Sequence, residues 1–118
     1  FYADNGFIPA LLILELMSVR GQTLRELLAP YRERYFISGE INTVLTDASQ
    51  VSAKLDQIAE RYADGHVYRM DGVSAEFPTW HFNVRPSNTE PMIRLNLEGS
   101  SHAEMETRRD ELLSLIRE

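Results

Sequence analysis

Cysteine is absent from all 118 residues. That excludes disulfides, thiolate metal sites and a cysteine nucleophile, and it suits a cytoplasmic protein. Positive charge is scarce too: 12 Lys and Arg face 18 Asp and Glu, a formal net charge of -6. Such a chain has no general attraction for nucleic acid or an anionic membrane, so any anion site must be a local positive pocket. Phe1 to Asn5 hold no basic residue, so no secretory signal is expected. The apolar run Phe7 to Met17 is too short to span a bilayer and contains Glu15. A buried helix is expected there instead. With 43% hydrophobic and 25% charged residues, the chain reads as ordinary globular protein. Opening without Met, almost directly into a core helix, it is expected to be a piece of something longer.

Phe7 to Val19 is apolar nearly all round, a pattern that expects protein on most sides. Gly21 breaks it, and Thr23 with Glu26 forms a capping-box pattern ahead of Leu24, Leu27, Leu28 and Tyr31. Pro30 is expected to kink or restart this second helix. From residue 37 the pattern changes. Glu40 to Leu45 reads as a strand, and Asp47 with Gln50 as the cap of a helix striped by Val51, Leu55, Ile58, Ala59 and Tyr62. Val67 to Met70 and Val73 to Phe77 read as strands joined by Asp71-Gly72, a hairpin signal. Trp80, Phe82 and Val84 alternate with polar residues in a further strand, as do Ile93, Leu95 and Leu97. Ser101 with Glu104 caps a last helix, whose inner face uses Met105, Leu112, Leu113 and Ile116. The expected fold is α+β: a β-α-β-β-β-β-α (TBP-like) layer with a mainly antiparallel sheet and two helices on one face, preceded by two extra helices.

The segment Arg85-Pro86-Ser87-Asn88-Thr89-Glu90-Pro91 is too elaborate for a minimal hairpin loop. Arg85 offers a planar fork of donors, Ser87 and Thr89 offer hydroxyls, and Asn88 an amide. The backbone amides of a tight turn can also converge on an anion. Arg94 shares the sheet face of Arg85 if the strands pair directly across the loop. Together they would suit one doubly charged phosphate. The same residues read equally well as a proline-bounded turn that satisfies its own backbone, since Ser, Asn and Thr are common turn residues. Two arginines flanking the loop in an acidic chain favour the site.

Arg85 to Gly99, RPSNTEPMIRLNLEG, resembles the C-terminal phosphate-binding loop of the α-D-phosphohexomutases. Asn88 and the tail Arg94-Leu95-Asn96 resemble the phosphomannomutase and phosphomannomutase/phosphoglucomutase branch, whereas phosphoglucosamine mutases usually carry Gly where Asn88 stands. The opening FYADNGFIPALLILELMS resembles the helix that follows the sugar-binding loop of their third domain. The resemblance implies a four-domain enzyme interconverting hexose 1- and 6-phosphates through a hexose 1,6-bisphosphate intermediate. It also implies a phosphoserine in the first domain and Mg2+ in the second. On that reading residues 1–36 are a helical remnant of the third domain, and residues 37–118 are the C-terminal phosphate-binding domain. Arg85, Ser87, Asn88 and Thr89 would grip the phosphate that is not reacting; Arg94 is added on physical grounds. Glu90 is given no ligand contact, because a carboxylate repels phosphate.

The chain has no Thr-Ala-Ser-His-Asn-Pro stretch, no Asp-Gly-Asp-x-Asp-Arg metal loop and no Gly-Glu-x-Ser-Gly-His sugar loop. With those parts missing it is expected to be inactive alone, with no catalytic or metal-ligating residue of its own. Its expected partner is a phosphosugar, with no nucleic acid and no membrane, and residues 7–31 are expected to drive self-association. A phosphoglucomutase or phosphoglucosamine mutase fragment, or a free-standing phosphosugar-binding module, are the alternatives. His66, His81 and His102 lack ligand-like spacing and read as solvent-facing. Trp80 and Phe82 read as core.

Overall fold

The computed structural model describes residues 4–47 and 49–118. The chain divides into two compact units, Phe1–Arg34 and Tyr35–Glu118.

The first unit is a helical pair. Helix α1 (Phe7–Arg20) ends at Gly21, whose φ of 60° is the left-handed geometry that a residue without Cβ adopts freely. Helix α2 (Leu24–Arg32) starts on the expected capping box: the Thr23 hydroxyl accepts from the Glu26 amide, and the Glu26 carboxylate accepts from the Thr23 amide. Pro30 does not restart α2, which continues two residues beyond it. No residue of α1 or α2 is buried; Phe7 and Leu11 are 77% and 64% exposed. No single helix among the described residues is long and apolar enough to cross a membrane.

The second unit is the α+β layer. Its elements are β1 (Phe36–Ile37), β2 (Ile41–Val44), α3 (Gln50–Arg61), β3 (His66–Tyr68), β4 (Val73–Glu76), β5 (Trp80–Pro86), β6 (Met92–Gly99) and α4 (His102–Arg117). Every pairing is antiparallel, in the order β1-β6-β5-β4-β3, with β2 also on β6. The expected strand order is present, with β1 as an addition. Phe36–Ile37 join this unit by pairing with Gly99 and Glu98.

Alternation along the strands separates two faces. Val73, Ala75, Trp80, Phe82, Val84, Ile93, Leu95 and Leu97 form one core with Leu55 and Ile58 of α3 and Met105, Leu112, Leu113 and Ile116 of α4. Both helices therefore cover the same side, and the other side of the sheet carries the polar residues. Trp80 stacks on Phe77 at 4.3 Å between centroids and lies under the Arg108 guanidinium, so it is a core residue, as is Phe82. Gly99 lets α4 pass close by: a Cβ there would stand 3.0 Å from the Met105 amide nitrogen.

Two local readings differ from the structure. Asp47 and Gln50 do not form a capping box, because α3 begins at Gln50 itself; the Asp47 carboxylate accepts from the Ser49 amide, as in an Asx turn. Asp71-Gly72 is not a two-residue turn. Tyr68 pairs with Ser74, which centres the connection on Asp71 and lengthens it to Arg69–Gly72.

Glu104 caps nothing with its side chain. Ser101 caps α4 by accepting from the Glu104 amide, while the Glu104 carboxylate accepts from Thr79 Oγ1 at 2.6 Å and Ser100 Oγ at 2.9 Å. Those two hydroxyl bonds, Thr79 first, hold its pKa below the ordinary 4.5. The stability they contribute is fully present above pH 4.5 and is lost as pH falls through the depressed value. Glu104→Gln should therefore lower the urea midpoint more at pH 6 than at pH 3. Equal differences at the two pH values would show that this carboxylate carries no such linkage.

Candidate functional site

The segment singled out in the sequence becomes the β5–β6 connection. The register is direct across it: Arg85 pairs with Arg94, and Pro86 with Ile93. Side chains directly opposite in an antiparallel pair share a face, so both arginines project from the helix-free side. They are half-buried, with side chains 35% and 31% exposed. Asn42 of β2 extends the row on the far side of Arg94.

The loop closes on itself economically. The Ser87 amide donates to the Met92 carbonyl at 2.9 Å, and the Met92 amide to the Glu90 carbonyl at 2.8 Å, a three-residue turn centred on Pro91. Proline suits that centre because its fixed φ is near the inverse γ-turn value. The Thr89 amide donates to Ser87 Oγ at 3.4 Å, and the Ser87 and Thr89 hydroxyls lie 3.5 Å apart. Asn88 is exposed, and among the described residues its amides meet no protein acceptor. One of the three central amides is thus committed to main chain, one to a side chain, and one faces solvent. Ser87 and Thr89 lie together, Arg85 and Arg94 lie together, and Asn88 stands at the tip.

Two acids that the sequence reading assigned only to a strand and a turn complete the constellation. Glu40 accepts from Arg85 Nη2 at 3.1 Å through Oε2 and from Arg94 Nη1 at 3.4 Å through Oε1. Asp71 Oδ2 lies 3.5 Å from Arg85 Nη1. Asn83 Nδ2 donates to the Asp71 carbonyl at 2.8 Å and to Ser74 Oγ at 3.0 Å, pinning the β3–β4 loop beside Arg85. Gly72, at φ 76°, lies so close that an added Cβ would be 2.6 Å from Arg85 Cα. An orphan arginine pair directly opposed across strands was itself a signal that a counter-ion must lie nearby.

The remaining candidates fall elsewhere. His66, His81 and His102 are exposed, and no group of three or more metal-capable side chains forms among the described residues. His66 lies 3.6 Å from Glu76, its partner across β3 and β4. Arg108 and Arg109 pair with Glu111 and Asp110 within α4. A recess of about 420 Å³ between β2, α3 and the end of α4 includes none of the loop residues.

The second unit is thus an antiparallel layer with a donor-rich β5–β6 connection and two cross-strand arginines on its open face. Residues 40–115 match the family model described as "Phosphoglucomutase/phosphomannomutase, C-terminal domain", and the chain belongs to that family. It is 39% identical over 117 residues to a phosphomannomutase of Escherichia coli, covering 98% of this chain and 25% of that protein. A protein named for phosphohexose mutases in Xanthomonas campestris pv. campestris (strain B100) is 42% identical over 119 residues, 98% of this chain and 26% of that one. A phosphomannomutase of Methanocaldococcus jannaschii is 33% identical over 115 residues, again 98% of this chain and 25% of that protein. The chain spans about a quarter of the length of these relatives.

Proposed function

We propose that this chain is the phosphate-gripping part of a phosphomannomutase, and that Arg85, Ser87, Asn88, Thr89 and Arg94 hold the phosphate of the sugar that is not reacting. The observation that carries the reading is the direct cross-strand pairing of Arg85 with Arg94 at the foot of the Ser87–Thr89 loop. Two guanidinium groups side by side suit a dianion with several oxygens, and the Ser87 and Thr89 hydroxyls and the uncommitted Asn88 amides of the adjoining loop can take the rest. The names of the relatives support mannose phosphate as substrate. Phosphoserine, Mg2+ and the sugar-binding loop belong, on this reading, to parts of the enzyme outside this chain. Here the chain's own residues bind and orient. Gripping the distal phosphate supplies binding energy away from the reacting centre, which can serve orientation there.

The test is a titration of the chain with millimolar inorganic phosphate, followed by amide NMR. The Ser87, Asn88 and Thr89 signals should move together and saturate, and Arg85→Ala should abolish the movement. Unmoved signals in the wild-type chain would leave the loop an ordinary turn. The chain alone should give no turnover of mannose 6-phosphate; measurable mutase activity would contradict this division of labour.

Self-association is expected through residues 7–31. Apolar surface of this extent seeks a partner, and α1 exposes Phe7, Leu11, Leu12, Leu14 and Val19. Sedimentation should show a dimer or larger species that Leu11→Glu returns to monomer. A wild-type monomer would refute this.

A further inference from the structure

Arg85 and Arg94 are like charges directly opposite one another in an antiparallel ladder, an arrangement that is destabilising when uncompensated. The compensation comes from outside both strands. Between the pairs Ile37–Glu98 and Ile41–Leu95, three residues of the edge oppose two of β6. The extra residue is accommodated by Gly39 at φ 69°, the left-handed glycine of a G1-type bulge. Ser38 anchors the bulge: its amide donates to the Leu97 carbonyl at 2.8 Å, and its hydroxyl accepts from the Leu97 amide at 3.0 Å. Bulges re-aim side chains, and this one delivers Glu40 onto the arginine pair.

Glu40 gives one carboxylate oxygen to each arginine, and Asp71 approaches Arg85 from the other side. Two positive and two negative groups make the cluster neutral. A phosphate dianion gains little from a neutral cluster, so the carboxylates must yield for the arginines to hold it. Neither acid is locked: the Glu40 side chain is 36% exposed and that of Asp71 71%. The Arg94 Nε is buried without a partner among the described residues, so its guanidinium is incompletely satisfied while Glu40 holds it.

We infer that Glu40 is a positioning residue of the phosphate grip, a resident counter-ion that holds Arg85 and Arg94 side by side and is displaced by the incoming phosphoryl oxygens. The inference rests on the phosphate reading above and adds a residue that opposes binding. Glu40 thereby sets an upper limit on the grip's affinity, which favours release.

Inorganic phosphate titrations of the whole chain, read on the Ser87–Thr89 amides, separate the possibilities. Glu40→Gln should bind phosphate about fivefold tighter than wild type, and Asp71→Asn about twofold tighter, the smaller gain reflecting its greater exposure and longer contact. Arg85→Ala should not respond. If wild type responds and Arg85→Ala does not, yet Glu40→Gln binds equally or more weakly, the counter-ion role is overturned and the phosphate reading stands. If wild type itself fails to respond, both fall. Should Glu40→Gln not fold, Asp71→Asn decides: no gain in affinity there overturns the exchange.

Discussion

Gly72→Ala should lower the stability of the sheet unit by about 3 kcal/mol, from left-handed strain of roughly 1–3 kcal/mol plus steric displacement of about the same order. Two independent causes converge on this position. Its φ of 76° lies where a residue with Cβ is strained. The added methyl would also stand 2.6 Å from Arg85 Cα and inside contact distance of the Val84 carbonyl oxygen. These are backbone atoms of β5, which is paired on both sides with β4 and β6 and cannot retreat without breaking ladder bonds. The denaturant midpoint should therefore fall with an unchanged slope. Phosphate binding should weaken too, because the displaced atom carries the Arg85 side chain. A midpoint shift worth under about 0.5 kcal/mol would mean that β5 and the β3–β4 loop are further apart in solution.

Gly72 also marks where local sequence reasoning reaches its limit. The pair Asp71-Gly72 correctly announces a reversal, since it supplies a residue free to take positive φ. It does not fix the register. That is set by which side chains of β3 join the buried Val73 and Ala75 of β4 on the core face. Val67 packs against the core opposite Ala75, while Tyr68 and Met70 stay exposed, and this choice gives the Tyr68–Ser74 pairing and stretches the turn. The same contrast holds for β1. Two residues, Phe36 and Ile37, are too few to show a period, and their partners Gly99 and Glu98 lie far along the chain. By contrast β5, β6 and α4 were legible, because each repeats its apolar period over several residues with a marked stop. Trp80–Val84 and Ile93–Leu97 alternate strictly, and the Met105, Leu112, Leu113 and Ile116 face of α4 is buried as read.

At the candidate site, donors were legible and acceptors were not. Arg85, Ser87, Asn88 and Thr89 are contiguous and bounded by prolines, so their grouping needs no tertiary information. Arg94 follows from simple antiparallel pairing. Glu40 comes from the edge segment beside β6, 45 residues before Arg85 in the chain, through a bulge whose presence only Gly39 hints at, and Asp71 was absorbed into a turn signal. Charge balance is the argument that could have found them: two half-buried arginines facing each other require negative partners.

That balance also shapes what removing Arg85 should do in a full-length mutase carrying this domain. Arg85→Ala should reduce kcat/KM with mannose 1-phosphate by about 2–3 kcal/mol, roughly 30- to 150-fold, the worth of a forked charge-assisted contact to phosphate. The loss should divide between a raised KM and a lowered kcat if, as proposed, part of the distal grip serves to orient the reacting end. Stability should hardly change. The ion pairs lost with Arg85 are about a third exposed or more, and such pairs contribute at most about 1 kcal/mol. This mismatch between a large kinetic effect and a small folding effect separates a binding role from a structural one. Arg85→Lys should recover only part of the activity, because an ammonium keeps the charge but loses the planar fork. Near-normal kinetics in Arg85→Ala would remove this residue from the phosphate grip, and a loss of stability as large as the loss of rate would reassign it to the fold.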